Sequence, residues 1–144
     1  MIKVYLTDDD KDDRLFFEEA LNALEIKCEC TLFKNGKELY EDLINEDRPI
    51  PDLIFLDLNM PVMGGFDCLK KIRKIHDMNQ VVVAIYSTSS SQEDVDKTFL
   101  LGANIYIKKP ETFRDLKMVL NKVLKLNWQY LNSNLNKENF LLKL

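Results

Sequence analysis

Asp8, Asp9 and Asp10 follow the apolar run Ile2, Val4 and Leu6. Asp57 follows Leu53-Ile54-Phe55-Leu56, and Lys109 follows Ile105-Tyr106-Ile107 by one residue. Each charge stands where a short β-branched or aromatic run stops, the place at which a buried strand gives way to a loop. In an open α/β sheet the carboxyl ends of the strands border one crevice, so charges far apart in sequence gather in one acidic pocket. Two carboxylates about 4 Å apart repel by roughly 4 kcal/mol at an effective dielectric near 20, so the cluster calls for a cation. Ligands that are all oxygen suit a hard divalent ion such as Mg²⁺. A carboxylate is a poor nucleophile in water. In-line attack on a phosphoryl donor becomes feasible once a divalent ion and an ammonium neutralise the transferred group.

The elements that must position these groups alternate between short apolar runs and longer stretches of helical period, the βαβ signature. The pattern predicts strands near 2–7, 28–33, 52–57, 81–86 and 104–107. The first helix is expected from about Asp12 to Leu24, with Leu15, Phe16, Ala20, Leu21 and Leu24 inward. Further helices follow over Gly36 to Asn45 on Leu39, Leu43 and Ile44, and over Gly65 to Ile75 on Phe66, Leu69 and Ile72. A fourth runs from Gln92 to Leu101 on Val95, Phe99 and Leu100, and a last one from Thr112 toward Trp128. Pro61, Gly64, Gly65, Gly102 and Pro110 punctuate the boundaries. With right-handed crossovers the fold class is α/β, a doubly wound five-stranded parallel sheet with helices on both faces.

At 144 residues and 46% hydrophobic content, the chain is expected to form one domain over residues 1–126. Residues 127–144 are expected to continue the last helix without forming a separate domain. A net charge of −4 and the absence of a separate basic run argue against nucleic-acid partners. Lys70, Lys71, Arg73 and Lys74 read as a solvated helix face. No apolar stretch is long enough to span a membrane and no signal-peptide core is evident, so a cytoplasmic location follows. Cys28, Cys30 and Cys68 give no disulfide framework, and the first two read as strand residues. His76, in a polar stretch, is not expected to be catalytic.

Asp57 opens Asp57-Leu58-Asn59-Met60-Pro61-Val62-Met63-Gly64-Gly65. An aspartate there is by itself more often a turn former. Its convergence with Asp8, Asp9 and Lys109 reverses that weighing, since turn formation does not require charges at three strand ends. One of Asp10, Asp12 or Asp13 is expected to serve the start of the first helix. Ser87 comes first after the fourth strand and faces the carboxylates, whereas Ser89 to Ser91 read as loop or cap residues. Lys109 reads as the ion partner and Lys108 as the exposed neighbour.

The chain resembles the receiver domain of two-component response regulators over residues 2 to about 126. The resemblance rests on Asp8-Asp9, the Asp57-x-x-Met60-Pro61-x-Met63-x-Gly65 turn, Ser87, and Gly102-Ala103-x-x-Tyr106-x-x-Lys109-Pro110. It implies a flavodoxin-like topology with Asp57 as phosphoacceptor. Asp9, Asp57 and the Asn59 backbone carbonyl would hold Mg²⁺, with Asp8 acting through water. Ser87 and Lys109 would bond phosphoryl oxygens, Tyr106 would move inward on activation, and the Lys109-Pro110 bond would be cis. Thr7 departs from the usual aliphatic residue and Ser87 from the commoner threonine. Thr88 stands where a smaller residue is typical, which leaves open whether Ser87 or Thr88 makes the phosphoryl contact.

The implied partners are a sensor histidine kinase and either a docking target or a histidine phosphotransfer protein. A homodimer through helix four, strand five and helix five is a further expectation. Trp128, Tyr130 and Leu131 would cover the core or extend that contact. The chain also looks like the stand-alone receivers associated with phytochrome-type kinases. It is read as a phosphoprotein that gains and loses its own phosphoryl group, not as a turnover enzyme. A haloacid-dehalogenase-like phosphatase would want a second aspartate where Asn59 stands. A flavodoxin-like cofactor binder would want a phosphate cradle where Asp8-Asp9-Asp10 would repel one.

Overall fold

The computed structural model describes residues 1–126 and 140–142. Five strands, β1 (Ile2–Thr7), β2 (Cys28–Phe33), β3 (Leu53–Leu56), β4 (Val82–Ser87) and β5 (Ile105–Lys108), alternate with five helices. These are α1 (Lys11–Asn22), α2 (Gly36–Leu43), α3 (Gly65–Lys74), α4 (Gln92–Leu100) and α5 (Phe113–Leu124). All strand pairs are parallel, in the order β2-β1-β3-β4-β5. The chain leaves β1 toward β2 and then crosses to β3 on the other side. The sheet's switch point therefore lies beside β1, where the carboxyl ends of β1 and β3 meet.

Alternation within each strand builds two cores. Tyr5, Ile54, Leu56, Val83, Ile85 and Tyr106 face one layer with Leu39, Leu69, Ile72 and Val95 from α2, α3 and α4. Val4, Leu6, Phe55, Ala84, Tyr86 and Ile107 face the other with Phe17, Leu21, Leu116 and Leu120 from α1 and α5. Covered on both sides, β3 and β4 carry no exposed residue, which is why their sequences are continuous apolar runs.

The helical phase differs from the sequence expectation at several positions. In α1 it is Phe17 that is buried with Ala20 and Leu21, while Leu15 is exposed. Ile44 and Leu100 are likewise exposed, because each lies at or beyond the last turn of its helix. Arg73 does not belong to a solvated face. Its guanidinium reaches under α3 to Gly102 O (2.9 Å), Met78 O (3.1 Å), Val81 O (2.8 Å) and Asn104 Oδ1 (2.7 Å), tying α3 to the starts of β4 and β5. Its planar fork satisfies carbonyls that strand ladders leave over.

Helix α5 ends at Leu124 with Lys125 as its cap, so it does not run on to Trp128. Trp128, Tyr130 and Leu131 lie outside the described residues. The chain returns at Phe140, which is buried against Phe99 and Tyr106 at ring distances of 5.3 and 6.1 Å. Leu141 bridges Tyr106 in parallel, and the Leu142 N–H donates to Tyr106 O at 2.9 Å. The open edge of β5 is thereby partly paired, as an edge strand requires.

Thr7 is fully buried and its hydroxyl has no hydrogen-bond partner among the described residues. An unsatisfied buried hydroxyl costs on the order of 1–3 kcal/mol, whereas an isosteric methyl costs nothing in lost hydration. Thr7→Val is therefore expected to raise unfolding stability by about 1 kcal/mol in urea titrations, and Arg73→Met to lower it by about 3 kcal/mol by removing four hydrogen bonds, although Met78 O and Asn104 Oδ1 each keep a backbone N–H donor.

Candidate functional site

Asp8 is fully buried at the end of β1 and fixed from both sides. Its N–H donates to Phe33 O at 3.1 Å, and its carbonyl accepts from Arg14 Nη1 at 2.8 Å. Its Oδ1 accepts the Asp10 N–H at 3.0 Å, closing a tight turn into α1. Asp10 then caps α1 by accepting the Asp13 N–H at 3.0 Å, which settles which of the three following aspartates starts the helix. Asp9 stays exposed at the mouth of the crevice.

Asp57 lies one strand away, its N–H held by Thr7 O at 3.0 Å and its Oδ1 accepting the Asn59 N–H at 3.4 Å. The loop that follows folds back hard. Met63 N donates to Pro61 O at 2.8 Å across Val62, which takes a φ of 72°, a γ-turn in the left-handed region that a β-branched residue rarely enters. Gly65 packs so closely under β3 that a Cβ there would overlap the Asp57 carbonyl oxygen and stand 2.7 Å from Leu58 Cα. That glycine lets α3 begin directly beneath the carboxylate.

One carboxylate oxygen from each of Asp8, Asp9 and Asp57 lies within 4.8 Å of the other two, the one such cluster among the described residues. Into the same space comes Lys109, whose side chain is only 10% exposed. Its Nζ is 2.8 Å from Asp8 Oδ2, 3.0 Å from Asp13 Oδ2 and 3.3 Å from Asp57 Oδ2. The contact to Asp8 Oδ2 is an ion pair without the alignment of a hydrogen bond, so this buried oxygen keeps free acceptor capacity. A buried oxygen with capacity to spare, beside two further carboxylates, fits a hard divalent cation.

Burial pushes the Asp57 carboxyl up to about 6, helped by the charge of Asp8 and opposed by Lys109. Burial also raises Asp8, against the close Lys109 ammonium and the Asp10 N–H. Burial works against the Lys109 ammonium, but Asp8 and Asp13, with the charge of Asp57, outweigh it and hold the group above its ordinary range. Three carboxylates meet one ammonium and Asp9 stands beside two of them, so negative charge outnumbers positive in the crevice.

The other expected residues surround this centre. Ser87 is fully buried at the end of β4, its Oγ accepting the Ser89 N–H at 3.2 Å and its carbonyl accepting the Lys109 N–H at 2.8 Å. Thr88 is exposed on the rim of a cavity of about 340 Å³ shared with Asp13, Phe16 and Lys109. Lys108 is exposed, as expected. Asn59 brings its N–H to Asp57. Tyr106 is buried, and its hydroxyl donates to Ser89 O at 2.7 Å. All peptide bonds of the described residues are trans, Lys109-Pro110 included. This corrects the expected cis bond, and trans is the isomer an X-Pro bond intrinsically favours.

Sequence reasoning missed Asp13 as a partner of Lys109. The signal was present: Asp10 as cap puts Asp13 in the first turn, on a helix that starts at the pocket's rim. It also missed the return of Phe140 and Leu141, an apolar pair after a polar stretch.

The response regulator receiver domain family model matches residues 4–121. Response regulator Rcp1 of Synechocystis sp. is 31% identical over 121 residues, covering 81% of this chain and 82% of that protein. The crystal structure of the Mn²⁺-bound form of Rcp1 superposes with a TM-score of 0.78 at 26% identity, covering 94% of this chain and 98% of that one. That of the phosphorylated cyanobacterial phytochrome response regulator RcpA gives 0.77 at 27% identity, covering 94% and 96%. The DNA-binding transcriptional regulator NtrC of Escherichia coli is 34% identical over 107 residues, covering 74% of this chain but only 21% of its own length.

A carboxyl whose folded value is raised from 3.8 to about 6 favours the fold while it is neutral, and that contribution is lost as pH rises between those values. Without divalent metal, Asp57→Asn is therefore expected to match the wild type near pH 4 and exceed its stability by about 1–3 kcal/mol at pH 7.5. Urea unfolding at both pH values measures the difference, and a saturating divalent ion should shrink it.

Proposed function

The chain belongs to the response regulator receiver domain family, and from that premise we propose that Asp57 accepts the phosphoryl group that a sensor histidine kinase supplies. The observation that carries the assignment is the meeting of Asp8, Asp9 and Asp57 around one point with Lys109 Nζ 3.3 Å from Asp57 Oδ2. A buried carboxylate largely stripped of water, yet held by the Asn59 N–H and an ammonium, is set for in-line attack.

Asp8, Asp9 and Asp57, with the Asn59 carbonyl, would hold Mg²⁺, which when bound supplies positive charge to the transferred group. Lys109 and the Ser87 hydroxyl then bond phosphoryl oxygens. Ser87 is favoured over Thr88 because it is buried at the strand end beside Lys109. The Tyr86 ring lies 5.5 Å from the Lys109 ammonium, and Asp13 Oδ2 is 3.0 Å from it on the side of α1. The product is an acyl phosphate that the same site hydrolyses without turnover of a separate substrate.

Output by protein docking, in the cytoplasm, follows from the same reading. Phosphoryl oxygens drawing on Ser87 shift the loop that Tyr106 holds through Ser89, and so alter the face of α4, β5 and α5. A homodimer through that face is the simplest assembly. Transfer onward to a histidine phosphotransfer protein is the alternative output. The domain is assigned to residues 1–126, with 127–144 as an extension of it.

Incubation with phosphoramidate and Mg²⁺ is expected to add one phosphoryl mass to the intact protein and none to Asp57→Asn at that site. Labelling of the same peptide in the variant would sink the assignment. Sedimentation with and without beryllofluoride is expected to show a monomer–dimer shift, with altered hydrogen exchange over residues 87–124. An unchanged monomer with unchanged exchange would remove both the dimer and the docking face.

A further inference from the structure

Lys109 has three N–H donors, of which one hydrogen-bonds Asp13 at 3.0 Å and one Asp57 at 3.3 Å, while Asp8 Oδ2 adds an ion pair at 2.8 Å, so Asp13 holds a donor that an incoming group could use. Asp8 and Asp57 are buried members of the reactive cluster, whereas the Asp13 side chain is 41% exposed and belongs to the first turn of α1. Its N–H serves the helix cap through Asp10, so the carboxylate is not itself the cap and favours the helix only through its charge in the first turn. It faces the ammonium from the cavity that opens to solvent between α1 and the β5–α5 connection, lined also by Thr88 and Pro110.

Resting on the reading that Asp57 is phosphorylated, we propose that Asp13 is a positioning residue that holds Lys109 in a charge-neutralised resting state and thereby limits how fast the site reacts with anionic phosphodonors. In the transfer, a carboxylate oxygen of Asp57 forms a bond to the phosphorus of acetyl phosphate, the bond from phosphorus to the acetyl oxygen breaks, and acetate leaves with its electron pair. Lys109 assists that step to the extent that one of its N–H groups reaches the transferred oxygens. While Asp13 holds one of those donors and cancels part of the charge, the assistance is weaker and the approach of a dianion is opposed. Removing the charge should free the ammonium without disturbing the helix cap.

The experiment measures phosphorylation rates by intact mass at saturating Mg²⁺ and low phosphodonor for the wild type, Asp13→Asn, Asp13→Ala and Asp13→Glu. With acetyl phosphate, Asp13→Asn and Asp13→Ala are expected to react about three- to tenfold faster, the order of magnitude for one solvent-screened charge about 4 Å or slightly more from the reacting group. Asp13→Glu should restore the wild-type rate. The gain should be smaller with phosphoramidate, which carries less negative charge, and should shrink as ionic strength rises. A rate unchanged or lowered in Asp13→Asn, or a gain equal for both donors and indifferent to salt, overturns the proposal. The wild-type arm keeps the two readings apart: if it gains no phosphoryl mass at Asp57 the functional assignment fails, whereas wild-type labelling without the Asp13 effect defeats this inference alone.

Discussion

The ammonium of Lys109, buried among carboxylates at the sheet's switch point, is the interaction on which the site depends. Without it, Asp8 and Asp57 would be two desolvated negative charges side by side, a state that proteins ordinarily avoid by protonation. Even with it the set remains over-supplied with negative charge, and burial first, with neighbouring carboxylates adding to it, displaces Asp57 and Asp8 upward. That surplus is what a divalent cation would relieve. Stability is thus given up locally at the sheet's switch point, and the two packed cores on either face of the sheet hold the geometry against the repulsion.

Rigid attachments make this strain tolerable. Asp8 is fixed through its N–H, carbonyl and carboxylate, and Asp57 through backbone bonds on both sides. The left-handed turn at Val62 and the close packing at Gly65 bring α3 directly under the strand end, so the loop cannot relax away from the carboxylate. On the far side, Lys109 N donates to Ser87 O and ties the lysine to β4. A change at Asp57 therefore has a short covalent and hydrogen-bonded route to Ser87, Ser89 and Tyr106.

Tyr106 connects the site to the rest of the molecule. Its hydroxyl is on Ser89 O, its ring meets Phe140, and its backbone carbonyl accepts the Leu142 N–H. One residue thus senses the β4–α4 loop on its polar side and carries the end of the chain on its edge and ring. The face proposed for docking is consequently built in part from residues distant in sequence.

The sequence alone determined the alternation of strands and helices, the five-stranded parallel arrangement, and the gathering of Asp8, Asp9, Asp57 and Lys109. These follow from periodicity and from the rule that strand ends share a crevice, both of which are local or topological. It also separated Lys109 from exposed Lys108, because only a lysine facing the acidic pocket gains ion partners. What it did not determine depends on distances between elements. Asp13 became a partner of Lys109 only once α1 took its phase and put Phe17, not Leu15, against the sheet. Arg73 looked solvated because nothing in α3 itself announces the carbonyls of Met78, Val81 and Gly102 that surround it. The end of α5 at Leu124 and the seating of Phe140 on Tyr106 were likewise decided by tertiary packing, since a helical pattern says where apolar residues fall but not which distant surface remains open to receive the chain.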